Sequence, residues 1–169
     1  MFGLTSLGVV HTAISLVALA AGVASLVRYK EILARTALGQ TYIWTTVLTC
    51  LTSFGIFQHG GFGKAHVLGI LTLLVLGIAA LARKPRRFGR ATPYVETLAY
   101  SLTFFFHLIP GVTETFTRFP MGASVFSSPD DPALQKVIGV VFVLFLVGAA
   151  LQVRKRRAGG PFLTVTSTV

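Results

Sequence analysis

The chain predicts an all-α, polytopic transmembrane helical bundle of five spans, with the N-terminus outside and the C-terminus cytoplasmic. Three observations carry that expectation. Hydrophobic residues make up 53% of the 169, only 12% are charged and the mean hydropathy is +0.76, a composition outside the range of soluble domains. The apolar residues gather into five runs, about 5–27, 38–57, 65–82, 93–112 and 135–153, each near the roughly 20 residues that cross about 30 Å of hydrocarbon. The basic residues fall into three patches, which follow the first, third and fifth runs.

Those patches set the direction of the chain. Arg28, Lys30 and Arg35 form the first, Arg83, Lys84, Arg86, Arg87 and Arg90 the second, and Arg154, Lys155, Arg156 and Arg157 the third. Of the 15 basic residues only Lys64, Arg118 and Lys136 fall on the other side, with Glu114, Asp130 and Asp131. The positive-inside rule places the patches in the cytoplasm, and Tyr29, Tyr42, Trp44 and Tyr94, near the same ends, suit the aromatic belt at headgroup level. The net charge of +10 therefore reads as a topology marker. No exposed helical face collects the cations, so nucleic acid is not an expected partner; the lipid bilayer and other membrane subunits are.

Residues 1–157 read as a single transmembrane helical domain and 158–169 as a cytoplasmic tail, disordered by default. The first run exceeds the apolar core of a cleaved signal peptide and is followed by further spans, so it reads as retained. It carries Ala18 with Gly22 and Ala21 with Ser25 at a spacing of four, a small-residue face for close helix packing. The second run places Thr41, Thr45, Thr49 and Thr52 on one helical face, predicted to point inward with hydroxyls bonded to carbonyls of their own helix or a neighbour. Cys50, the one cysteine, lies in this run and reads as a packing residue.

The loop from Gln58 to His66 leads into the third run and carries two of the four histidines. The connector 83–93, basic and with two prolines, suits anionic headgroups. In the fourth run Phe104, Phe105 and Phe106 precede His107, and Pro110 bends or ends the span by freeing the Phe106 carbonyl. Residues 112–134, with Pro120, Pro129 and Pro132, form the sizeable outer segment before the fifth run.

Arg28 to His11, Arg83 to His66 and Arg90 to His107 are each 17 residues apart, roughly 25 Å of helix. The three imidazoles are thus expected at one level in the outer third of the bilayer, with His59 somewhat above. Ionisable side chains within spans are costly and face the bundle interior, which makes the layer a candidate site. A neutral imidazole offers a lone pair while its other nitrogen is held by an acceptor.

Two uses follow. His11, His66 and His107 can supply axial ligands to a b-type haem, with Gly22, Gly69 and Gly77 leaving room for the macrocycle. Alternatively His11, His59, His66 and His107, with Glu114 nearby, can hold a transition metal such as zinc or copper. The plain alternative leaves His59 and His66 wetted at the interface and His11 and His107 bonding between helices. Nothing points to hydrolysis: GxSxG, HExxH and a phosphate-cradling loop are all missing, and Glu96, the carboxylate within a run, lies near the inner end. Electron transfer near the periplasmic face is the leading expectation, a non-catalytic accessory or assembly subunit the second, and a carrier using the threonine face the third.

The stretches His11-Thr12-Ala13-Ile14-Ser15-Leu16-Val17-Ala18, Thr45-Thr46-Val47-Leu48-Thr49 and Ala65-His66-Val67-Leu68-Gly69-Ile70 resemble small uncharacterised multi-pass inner-membrane proteins of proteobacteria, a family of unknown function. The likeness spans roughly residues 8–83. It implies a bacterial inner-membrane location, carries no activity with it, and marks His11 and His66 as the first pair to test.

Overall fold

The computed structural model describes residues 5–56, 61–84, 88–118 and 124–158. Every regular element among them is helical: α1 Ser6–Tyr29, α2 Ala37–Ser53, α3 Lys64–Ala82, α4 Thr92–Arg118 with a single 3-10 turn Gly89–Ala91 before it, and α5 Pro132–Arg157. Four of these (α1, α3, α4 with its leading turn, and α5) are long and apolar enough to cross a membrane. The protein is thus a helical membrane protein. At 17 residues α2 is about 26 Å long and rich in threonine, a shorter rod packed among longer ones.

Local chemistry fixes the ends. The Thr5 hydroxyl accepts from Gly8 N at 3.1 Å and starts α1, and the Thr36 hydroxyl accepts from Gly39 N at 3.1 Å and starts α2. A Cβ on Gly39 would stand 1.9 Å from the Leu33 carbonyl oxygen, so the tight turn between α1 and α2 admits no side chain there. Asp131 caps α5 and Pro132 fills its first turn, where a missing N–H costs nothing.

Two ends depart from the apolar runs. α2 stops at Ser53, not 57, because the Ser53 hydroxyl donates to the Cys50 carbonyl at 2.7 Å and the next amides close short i to i−3 turns on Thr52 and Ser53. α4 runs through Pro110 to Arg118, beyond the expected end at 112. The proline removes one backbone bond, but Thr115 and Thr117 donate back to the Gly111 and Thr113 carbonyls, and Glu114 pairs with Arg118 one turn on.

The helices α1, α2, α3 and α4 form a closed four-cornered bundle in which α1 touches α2 and α4 but not α3, and α5 lies outside it against α4. Ala18, Ala21, Gly22 and Ser25 are buried on α1, the small-residue face expected from the spacing. That face lets α2 approach closely, and the room it leaves is filled from α2 and α4. A Cβ on Gly22 would meet the Phe104 ring at 2.6 Å and the Tyr42 ring at 3.1 Å. Tyr42 is fully buried here, so it leaves the aromatic belt that its position near the inner end suggested.

At the end of the bundle that carries the basic patches, a polar network ties α5 to the rest. The Glu31 carboxylate accepts from the Arg156 guanidinium and from the Thr97 hydroxyl. One turn outward, Gln152 accepts from the Ser101 hydroxyl at 2.8 Å and donates to the Lys30 carbonyl at 3.0 Å. At the opposite end Lys64 pairs with Asp130 at 2.6 Å, an exposed bridge that contributes under about 1 kcal/mol.

Candidate functional site

The threonine face of α2 is built as a set of back-bonded hydroxyls. Thr45 donates to the Thr41 carbonyl at 2.6 Å, Thr49 to Thr45 at 2.8 Å and Thr52 to Leu48 at 2.9 Å, so self-bonding on the same helix is the use made of it. The stripe points only partly inward: Thr49 is buried, Thr45 and Thr52 are half-buried and Thr41 is exposed. The deeper face is Tyr42, Thr46 and Thr49, at steps of four and three, a periodicity that would have found it. The Tyr42 hydroxyl lies 2.8 Å from Thr103 Oγ1 on α4.

His11 and His107 open onto this polar seam. His11 Nδ1 lies 2.9 Å from Thr52 Oγ1. A threonine hydroxyl has one proton, and that of Thr52 goes to a carbonyl of α2. The His11 ring must therefore donate from Nδ1, which leaves the lone pair on Nε2. His107 is 7% exposed, with the Tyr42 ring centroid 6.2 Å from its own. Its Nε2 is buried and finds no hydrogen-bond partner among the described residues.

His66 is built differently. It occupies the third position of α3, where its Nδ1 accepts from Gly63 N at 3.2 Å, the side-chain half of a capping box. Its ring stacks with Phe62 at 5.3 Å and Phe54 at 6.4 Å. With the Nδ1 lone pair spent on the cap, the ring hydrogen is on Nε2, the tautomer opposite to that of His11. Its helix does not pack against α1. His11 and His107 thus lie on the neighbouring helices α1 and α4, and His66 caps α3; His59 lies outside the described residues.

A metal-ligating imidazole keeps one nitrogen free while an acceptor holds the other. His11 matches that arrangement with the Thr52 hydroxyl, and His107 offers a buried Nε2 without a hydrogen-bond partner among the described residues. The room for a porphyrin does not fit as well. The notch over Gly22 is filled by Phe104 and Tyr42, and that over Gly69 by Ser53 and Phe54 at 3.1 and 3.3 Å. Gly77 is open but lies eleven positions along α3 from His66, about 16 Å. No three His, Cys, Asp or Glu side chains among the described residues converge on one metal position, so two imidazoles are what the described site offers.

Compared with known protein families, with curated proteins and with solved structures, the chain matches none.

Proposed function

We propose that this chain is a small multi-pass protein of a bacterial inner membrane whose His11 and His107 bind a transition-metal ion near the periplasmic face, in an electron-transfer role. The observation that carries the reading is His107 Nε2, a buried ring nitrogen without a hydrogen-bond partner among the described residues, with a second imidazole, His11, on the neighbouring helix α1. Leaving such a nitrogen unpaired costs about 1–3 kcal/mol, a cost that a ligand removes. Imidazole suits zinc, copper and iron; copper and iron change oxidation state, so these are the ions for electron transfer. Haem b is the alternative form, and requires the Phe104 ring to leave Gly22. In this reading the basic inner ends of α1, α3 and α5 face the cytoplasm.

Elemental analysis, electron paramagnetic resonance and a visible spectrum of the purified protein test it together. Bound copper or iron lost in both His11→Ala and His107→Ala and kept in His66→Ala is the expected result. A Soret band lost in the same two variants selects haem. A folded preparation that stays colourless and takes up neither ion overturns the metal reading.

That outcome selects a second reading, an accessory subunit of a larger membrane complex. The observation favouring it is α5, which packs on α4, meets the end of α1 and the turn after it through Gln152, Lys155 and Arg156, and leaves Val140, Leu144, Val147 and Leu151 more than half exposed along one stripe. Native mass spectrometry from mild detergent would then find a co-purifying subunit.

A further inference from the structure

The other end of the bundle holds a cavity of about 390 Å³, lined by Arg35, Arg83 and Arg156 together with Leu33, Thr92, Pro93 and Glu96. Its walls come from four places in the chain: the turn between α1 and α2, the end of α3, the start of α4 and the end of α5. Three guanidiniums face Glu96, and Glu31 behind Arg156 offsets a second of them, so the cavity keeps an excess of positive charge. Arg156 is anchored in the wall by Glu31 and Thr97. Arg83 meets Glu96 only loosely, at 3.8 Å through Nε, with 44% of its side chain exposed, and Arg35 is exposed at the rim. The Arg83 pair is at the outer limit of contact and partly solvated, which makes it a weak competitor for an incoming anion.

The geometry points to a binding site for a phosphate group, supplied by a lipid headgroup lying at the inner ends of the helices. Guanidinium recognises phosphate through paired, charge-assisted hydrogen bonds. The volume is in the range of small-ligand sites. The cavity sits at the ends of apolar helices, where a lipid phosphate belongs when its acyl chains lie along α3 and α4. It is separate from the His11 and His107 pair, and neither depends on the other.

The test is a titration of the purified full chain in neutral detergent with short-chain phosphatidylglycerol, with the matching phosphate-free diacylglycerol, and with inorganic phosphate, read by native mass spectrometry. Arg35→Gln, Arg83→Gln and Lys84→Gln are compared. Lys84 neighbours the cavity in sequence without lining it, so it removes the same charge from the same surface. One phosphatidylglycerol should bind, and Arg35→Gln and Arg83→Gln should each weaken it about tenfold, the loss of one charge-assisted bond, with Lys84→Gln within about twofold. Equal binding of inorganic phosphate, displacing the lipid, supports the phosphate site and assigns it to a free anion. Equal binding of diacylglycerol, or an equal loss in Lys84→Gln, overturns the proposal in favour of apolar contact or general surface charge.

Discussion

The Tyr42 and Thr103 hydroxyls meet at 2.8 Å in the fully buried middle of the bundle, joining α2 to α4 across 61 residues of sequence. Thr103 also donates to the Tyr100 carbonyl at 2.9 Å, so its proton is committed and Tyr42 is the donor of the pair. Tyr42→Phe removes one hydrogen bond and no packing, and should cost about 1 kcal/mol. Tyr42→Ala also opens a cavity beside Phe104 and should cost about 3–5 kcal/mol. Thermal unfolding in detergent should rank the two in that order, and equal losses would show that the ring and not the hydroxyl holds the helices.

Gly22 and Gly77 make a matched pair. Alanine at Gly22 drives its methyl into the Phe104 ring, whereas alanine at Gly77 meets nothing within 4 Å. Gly22→Ala should destabilise by about 1–3 kcal/mol and Gly77→Ala should be neutral or raise stability by up to about 1 kcal/mol. Trimming the ring in Gly22→Ala/Phe104→Leu should recover part of the loss. No recovery in the double variant would place the strain elsewhere.

Glu31 and Arg156 are 13% and 15% exposed, a nearly buried ion pair. Removing one partner leaves an uncompensated charge and should cost about 3–5 kcal/mol, while removing both should cost less than either single change. A double-mutant cycle of Glu31→Gln and Arg156→Met on thermal unfolding measures this. Additive losses would mean that the two groups act independently.

His66 as a cap makes a prediction separable from ligation. His66→Ala should lower stability by about 1 kcal/mol, and His66→Gln should restore it, because glutamine at the third helical position reaches back to the same amide. Neither change should alter metal content. A loss of metal in both variants would return His66 to the site.

Asp131 lies outside the membrane-crossing helices, and the amides of Ala133 and Ser127 with the Ser127 hydroxyl hold its carboxyl below the usual value near 3.8. A carboxyl lowered in the folded state stabilises the α5 cap above that value and loses the contribution as pH falls through the lower folded one. Amide exchange at Ala133 should therefore stay slow at neutral pH and quicken in strong acid. In Asp131→Ala it should be fast throughout, and in Asp131→Asn free of the acid step. A pH step persisting in Asp131→Asn would assign the titration to another group.

The apolar runs made the five helices legible because each must bury or coat a long stretch of backbone, and the runs of α1 and α3 match their helices closely. The two misplaced ends have local causes that hydropathy does not register: hydroxyl back-bonding at Ser53, and continued pairing beyond Pro110. At the site, the pairing of His11 with Thr52 could not be counted from the basic residues. It depends on Thr52 spending its proton on α2. His66 shares the count of 17 with His11 and His107 and differs because it falls at the third residue of a helix starting at Lys64. The inner network escaped altogether, since Arg156 within a basic run looks like any topology marker until the fold sets it against Glu31.

The distance in sequence between those last two residues has a consequence for biosynthesis. Glu31 leaves the ribosome 125 positions ahead of Arg156, and every helix between them is made first. During that interval the carboxylate has the Thr97 hydroxyl within reach once α4 is made, and no guanidinium from the final helix. A nascent chain arrested before α5 should consequently carry an exposed polar handle for membrane quality control, which arrival of the last helix conceals.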